Sequence, residues 1–420
     1  MELARLTPLR NEMRFAFENC LVFDGSSADL LDDVCVIVDG ARIVDVARIT
    51  PANCDHRVNC GRRILMPGLI DAHVHVCSPS FSFFQNDRLP PSLLAVYGST
   101  TLQGMLARGF TTVRDAGGGD RGLWMAIERG LIKGPRFLYS GRAISQTGGH
   151  GDMRSADQHE PCGCSHYSGS ISAVADGADG VRQAVREQLR RGAHQIKVFV
   201  SGGVTSPSDP LWMNQFTDDE IRAAVEEAAT RRTYVMAHAH TDEAIRRCIR
   251  LGVRSIEHGS QVEPDTAKQL VETNTYVVPT LVVADIAKRH GHDLGMPDSA
   301  MEKLDGVFER MSSSIRACAG AGVRLGLGSD ILGFEFQSQQ GRELTLRAEV
   351  QAPLDVLRSA TSVNAELLRR PGELGCIAPG AYADLIVLEG NPFMNMALFE
   401  QPLKNIALVM KAGEIIRNSL

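Results

Sequence analysis

The sequence predicts an α/β protein: a (β/α)8 TIM barrel with a small β-sandwich domain built from both chain ends. Three observations carry that expectation. Strand-like runs alternate with amphipathic stretches through the long middle of the chain. Short β-rich segments occupy the two ends. Residues suited to metal and proton chemistry recur at the ends of the middle strands, where a barrel places its site.

The elements follow in chain order. "RFAFENCLVFDG" and "VCVIVDGARIVDVA" read as strands near the N-terminus, and "ADLIVLEG" and "NIALVMKAGEIIR" near the C-terminus. Their DG and AG pairs suit hairpin turns. The expected division is 1–66 and 376–420 for the small domain and 67–375 for the barrel. Within the barrel, eight runs read as strands: "GLIDAHVHV", "TTVRDAG", "RFLYSG", "QIKVFVSGG", "TYVMAHAH", "SIEHGS", "TYVVPTL" and "VRLGLGSD". Amphipathic stretches such as "DGVRQAVREQLRRG" and "DDEIRAAVEEAATRR" separate most of them. A doubly wound open sheet would usually carry a glycine-rich phosphate loop after its first strand. Here that strand ends in histidines.

Composition narrows the partners. The chain has 420 residues, is 44% hydrophobic and 22% charged, and carries a net charge of −6 at pH 7. No basic run appears, which argues against nucleic acid and anionic membranes. No stretch reaches the length of a membrane span, and the first twenty residues lack a signal-peptide core. The expected location is cytoplasmic, although a leader removed before this numbering is compatible with the reading. Ten cysteines are scattered without a disulfide rhythm. "HEPCGCSHY", with His159, Cys162, Cys164 and His166, reads as a polar loop; its Cys spacing is tighter than that of most zinc knuckles.

The strand ends hold the chemistry. Residues two apart on a strand share a face, so His73 and His75 aim two imidazoles in one direction. Further ends supply Lys197, His238 or His240, His258 and Asp330. Each alone has a bland explanation: a satisfied core histidine, a snorkelling lysine, a helix cap. Their joint placement points to metal ligands. Lys197 in "QIKVFV" has apolar neighbours that favour the neutral amine, which can add carbon dioxide and become a bridging carbamate. Ser201, Gly202 and Gly203 follow that strand and read as pocket wall, since glycine lets backbone approach a ligand closely. Arg114 and Asp115 read as an internal ion pair.

Together, "MPGLIDAHVHV", "TTVRDAGG", "GAHQIKVFVSGG", "VMAHAHTDEAI", "GVRSIEHGS", "GLGSD" and "IAPGAYADLIVLEGNPF" resemble the metal-dependent amidohydrolase superfamily. The branch they resemble most holds ochratoxin-hydrolysing amidohydrolases and Xaa-Arg or Xaa-Lys dipeptidases, often called prolidase-like. The resemblance implies a centre of two divalent ions, zinc by ligand type. His73, His75 and Asp330 would hold the buried ion, His238 and His258 the exposed one, and carboxylated Lys197 would bridge them. His240 then falls to a substrate or supporting role, and His150, in "TGGHGD", lies near the substrate. His194 departs from the acidic residue common at that place; it precedes the strand and is not expected to alter the metal chemistry.

The implied reaction is hydrolysis of an amide next to an amino-acid carboxylate. N-acyl amino acids, dipeptides and ochratoxin A, an aromatic acyl group on phenylalanine, fit that description. Asp330 would take and return the proton, with His150 or His240 stabilising the oxyanion. A deaminase would instead use His240 with Glu243 beside the substrate, and usually lacks the bridging lysine. A cyclic-amide hydrolase and a lactonase stay open on the same residues. A metal-free scaffold protein ranks last, because every ligand position is filled. Self-association into a homo-oligomer is expected.

Overall fold

The computed structural model describes residues 13–154, 171–206 and 209–420. Five strands come from the N-terminal segment: β1 (Arg14–Val22), β2 (Leu31–Asp39), β3 (Arg42–Ala47), β4 (His56–Asn59) and β5 (Ile64–Pro67). Nine follow in the middle: β6 (Leu69–Val74), β7 (Phe110–Asp115), β8 (Arg136–Tyr139), β9 (Ala143–Ser145), β10 (Ser172–Val174), β11 (Ile196–Phe199), β12 (Val235–Ala239), β13 (Ser255–His258) and β14 (Tyr276–Val278). Three close the chain: β15 (Leu385–Leu388), β16 (Ile406–Lys411) and β17 (Glu414–Asn418).

The two chain ends meet. β5 pairs antiparallel with β15, Met66 opposite Ile386 and Leu65 opposite Val387. The resulting eight-stranded sheet runs β17-β16-β15-β5-β1-β2-β3, with β4 beside β1. Its pleat sorts the side chains. Ile64, Met66, Ile386 and Leu388 face the core shared with β6 and β7, while Leu65, Leu385 and Val387 face a second core with Phe15, Phe17 and Val36. Both faces are buried, so these strands read as unbroken apolar runs rather than alternating ones.

The middle of the chain is TIM-barrel-like α/β. β6-β7-β8 form one parallel group, and β10-β9-β11-β12-β13-β14 a second. His194, just before β11, donates its backbone N–H to Tyr139 O of β8 at 2.8 Å. Helices outside the strands include Gly177–Arg190, Asp218–Thr230, Asp242–Arg250 and Asp298–Ala321. The start of Asp218–Thr230 was written locally: Thr217 and Glu220 form a reciprocal capping box.

Two departures from the expected strands matter for the site. "VRLGLGSD" does not form a ladder strand. It makes one parallel bridge, Val277 to Leu325, and isolated hydrogen bonds from Ala72 N to Leu327 O and from Asp330 N to His73 O, both 2.8 Å. Its glycines explain this. A Cβ on Gly328 would stand 2.6 Å from His73 Cβ, so the segment lies too close to β6 for a side chain there. The second departure is the pair β9 and β10, which sequence reading missed; β9 leads directly into the loop of His150.

Candidate metal centre

β6 delivers His73 and His75 as its alternation requires. His73 Nδ1 lies 2.7 Å from Glu257 Oε2, and His75 Nδ1 lies 2.9 Å from Gly117 O. A ring nitrogen facing an acceptor at that distance carries a proton, which in the neutral imidazole leaves Nε2 as a lone pair. Both Nε2 atoms point at Asp330 Oδ1, at 3.4 and 3.2 Å. His73 Nε2 is buried and has no hydrogen-bond partner among the described residues. Acceptor facing acceptor in a buried site repels unless a cation sits between them. Ligand atoms of His73, His258 and Asp330 all lie within 4.8 Å of one another. This nitrogen and oxygen donor set fits a divalent ion of the zinc type.

The remaining candidates gather around the same cavity. Lys197, His238, His240, His150 and His258 line it with His73, His75 and Asp330. The His238 ring centroid is 4.4 Å from that of His150 and 4.6 Å from those of His240 and His258. Burial, then the neighbouring cationic groups, pushes the His238 pKa well below its usual value, and burial takes His240 down to about 3. The imidazoles are therefore neutral and able to act as ligands. Burial lowers Lys197 to about 8 against the pull of Glu257 and Asp330, so on the order of a tenth of the amine is neutral at pH 7, far more than for a solvated lysine. Burial opposes the ionised form of Asp330; positive charge on its His73, His75 and His258 side, which a bound cation would equally supply, outweighs burial and holds its pKa well below the carboxylate range.

The backbone is strained at two of these residues. His258 has φ +70° and Asp330 has φ +53°. Side chains other than glycine's rarely adopt that region, and a bulky His there costs free energy that the surrounding packing must offset.

Residues not singled out from sequence hold these candidates in place. Glu257, fully buried on β13, joins His73 to Arg114: Arg114 NH2 donates to Oε1 at 2.9 Å and to Oε2 at 3.0 Å. This corrects the expected Arg114–Asp115 pair. Adjacent residues on a strand point to opposite faces, and Asp115 instead accepts the backbone N–H groups of Val76, Gly117 and Gly119. Asp71 accepts from Ser329 Oγ and Gln340 Nε2, tying β6 to the segment that carries Asp330. His150, His240 and His258 each present Nδ1 to a hydroxyl, Ser206, Ser260 and Thr280, all at 2.8 Å. Asp209 Oδ2 lies 3.4 Å from His150 Nδ1. A charged residue inside a buried strand, as in "SIEHGS", was the one available signal for Glu257.

Ser201, Gly202 and Gly203 stand behind the cavity wall, which Val204 and Thr205 form in their place. The glycines admit protein, not ligand. A Cβ on Gly202 would meet Pro210 O at 2.0 Å, and one on Gly203 would meet the His150 ring at 2.1 Å. Ser201 Oγ accepts from His240 N, and Gly202 O lies 3.2 Å from His238 Nε2. Glu243, which the deaminase reading needs beside the substrate, is exposed in the first turn of its helix and does not line the cavity. His194 lies outside the cavity, with Nδ1 accepting from Tyr139 N. The His159, Cys162, Cys164 and His166 cluster lies outside the described residues. No helix among the described residues is long and apolar enough to cross a membrane.

The barrel-like fold has counterparts among known proteins. The chain belongs to the amidohydrolase family, whose pattern matches residues 64–416, and is a hydrolase acting on amide bonds of small molecules. That family generally uses divalent metals. Ochratoxinase of Aspergillus niger is 30% identical over 98% of this chain and 84% of its own. A prolidase solved with N-methylphosphonate-L-proline superposes with a TM-score of 0.94 at 44% identity, covering 97% of this chain and 100% of that one. A Xaa-Pro dipeptidase with methionine in its active site gives a TM-score of 0.85 at 28% identity, over 96% and 100% of the chains.

Proposed function

We propose that this chain is a binuclear metal-dependent hydrolase cleaving the amide next to an amino-acid carboxylate, in dipeptides, N-acyl amino acids or ochratoxin A. The observation that carries the reading is the convergence of His73 Nε2 and His75 Nε2 on Asp330 Oδ1 in a buried site. His73, His75 and Asp330 would hold one ion, His238 and His258 the other, with Lys197 bridging as its carbamate. Carbamate formation joins Nζ to carbon dioxide and releases one proton, which the low pKa of Lys197 favours. When bound, the ions acidify water and polarise the scissile carbonyl.

The protein's own groups do the rest. Asp330 is ionised and placed to accept the proton of the attacking water at Oδ and pass it to the leaving amine. His150 and His240, each tethered through Nδ1, direct Nε2 toward the substrate carbonyl or its carboxylate. The division at 1–66, 67–375 and 376–420, a sandwich-like small domain around the Phe15 and Phe17 core, and a homo-oligomer belong to the same reading. The test is metal content per chain together with hydrolysis of the three substrate types. About two equivalents of zinc with amide cleavage is the expected result. One equivalent, or turnover confined to deamination, would overturn it.

A further inference from the structure

Asp87 is a carboxylate in the catalytic cavity that the ligand set does not use. It follows the short helix Phe83–Asn86 in the loop after β6. That turn is pinned: buried Asn86 accepts from Ser80 N and donates to Ser80 O, both at 2.9 Å. The wall it shares is largely apolar, with Phe81, Met153, Ile171, Val283, Leu304 and Leu332. Asp87 makes no hydrogen bond or ion pair among the described residues; Arg142 supports its charge only from a distance. Burial raises its pKa, so this site favours the ionised form less than water does. A carboxylate in such a wall calls for a cationic partner. Among the described residues Lys197 is the only Lys or Arg lining the cavity, and it sits with the candidate metal ligands. A cationic group on the substrate would meet that need.

We propose that Asp87 receives the protonated α-amino group of a dipeptide, and so selects substrates with a free N-terminus over N-acylated amino acids. This rests on the amide-hydrolase reading of the same cavity and narrows it. A charge-assisted hydrogen bond of this kind corresponds to about 10–100-fold in kcat/KM.

The test compares zinc-loaded parent and Asp87→Asn on Leu-Leu, N-acetyl-Leu-Leu and N-acetyl-Lys-Leu. The parent is expected to prefer Leu-Leu about 10–100-fold over its acetylated form, with the preference collapsing in Asp87→Asn through KM. Equal parent rates, or an unchanged ratio in the variant, overturn the proposal. Selective loss of N-acetyl-Lys-Leu in the variant also overturns it, since the cation would then be a side chain. Calorimetry with a phosphinic dipeptide analogue, free and N-acetylated, reads binding without turnover. Tighter binding of the free amine, lost in Asp87→Asn, supports Asp87 even if no amide is cleaved, in which case only the hydrolase reading falls. If neither analogue binds, both fall.

Discussion

Replacing Glu257 with Gln keeps an acceptor for His73 Nδ1 but removes the charge opposite Arg114. Both side chains are fully buried, and the guanidinium also donates to Ala72 O at 2.6 Å and Ser255 Oγ at 3.1 Å. Burial works against the ionised acid, and Arg114, His73 and Lys197 together more than offset it, holding Glu257 at about 2 against an ordinary 4.5. That depression corresponds to about 3 kcal/mol of stability at neutral pH. It lies within the roughly 3–5 kcal/mol typical of breaking a buried pair. At about 2.1 cal/mol/K per residue, unfolding 420 residues carries an entropy near 0.9 kcal/mol/K. The variant should therefore melt about 3–6 °C lower. The sign of the pH dependence follows. The folded pKa lies below the unfolded one, so the contribution is full above about pH 4.5 and fades as pH falls toward 2. The gap between parent and variant should shrink over that window. Zinc affinity should fall about 10–100-fold, because Glu257 orients His73. Melting curves of the apo proteins and a chelator competition measure both. A Glu257→Gln protein melting within about 1 °C of the parent at pH 7 would refute the reasoning.

Three further outcomes follow. Lys197→Met should remove the carbamate, lower bound zinc from about two equivalents toward one and cut kcat by about a thousandfold or more; metal analysis and 13C-carbon dioxide labelling read the two effects separately. Gly203→Ala places a methyl 2.1 Å from the His150 ring and should cost about 10–100-fold in kcat with the fold retained, checked by kinetics beside circular dichroism. Lys303→Met removes an ammonium that donates to Gly203 O, Ser206 O and Asp209 O; the freed loop should raise KM and become the first site of limited proteolysis.

Several of the side chains that gather at the cavity were legible in the chain. His73 and His75 alternate on a strand, and strand period alone sends both side chains to one face, whatever the fold around them. Lys197 amid apolar neighbours announced a lowered pKa, because desolvation acts through local surroundings. The meeting of the ends was suggested by strand-like runs at both termini, "RFAFENCLVFDG" and "ADLIVLEG" among them, but β5, the strand that pairs with β15, was not read from the sequence.

Tertiary structure decided how those residues are held. Nothing in "TTVRDAGG" says that Arg114 reaches Glu257, 143 residues away, instead of its neighbour Asp115. Nor does "GLGSD" show that Gly328 abuts β6 or that Asp330 takes a left-handed φ. The identity of a ligand is a property of its side chain and strand register, which are local. The tautomer of each histidine, the charge of each acid and the wall opposite Asp87 depend on partners brought together only when distant strands and loops pack, and that is why sequence alone left them undetermined.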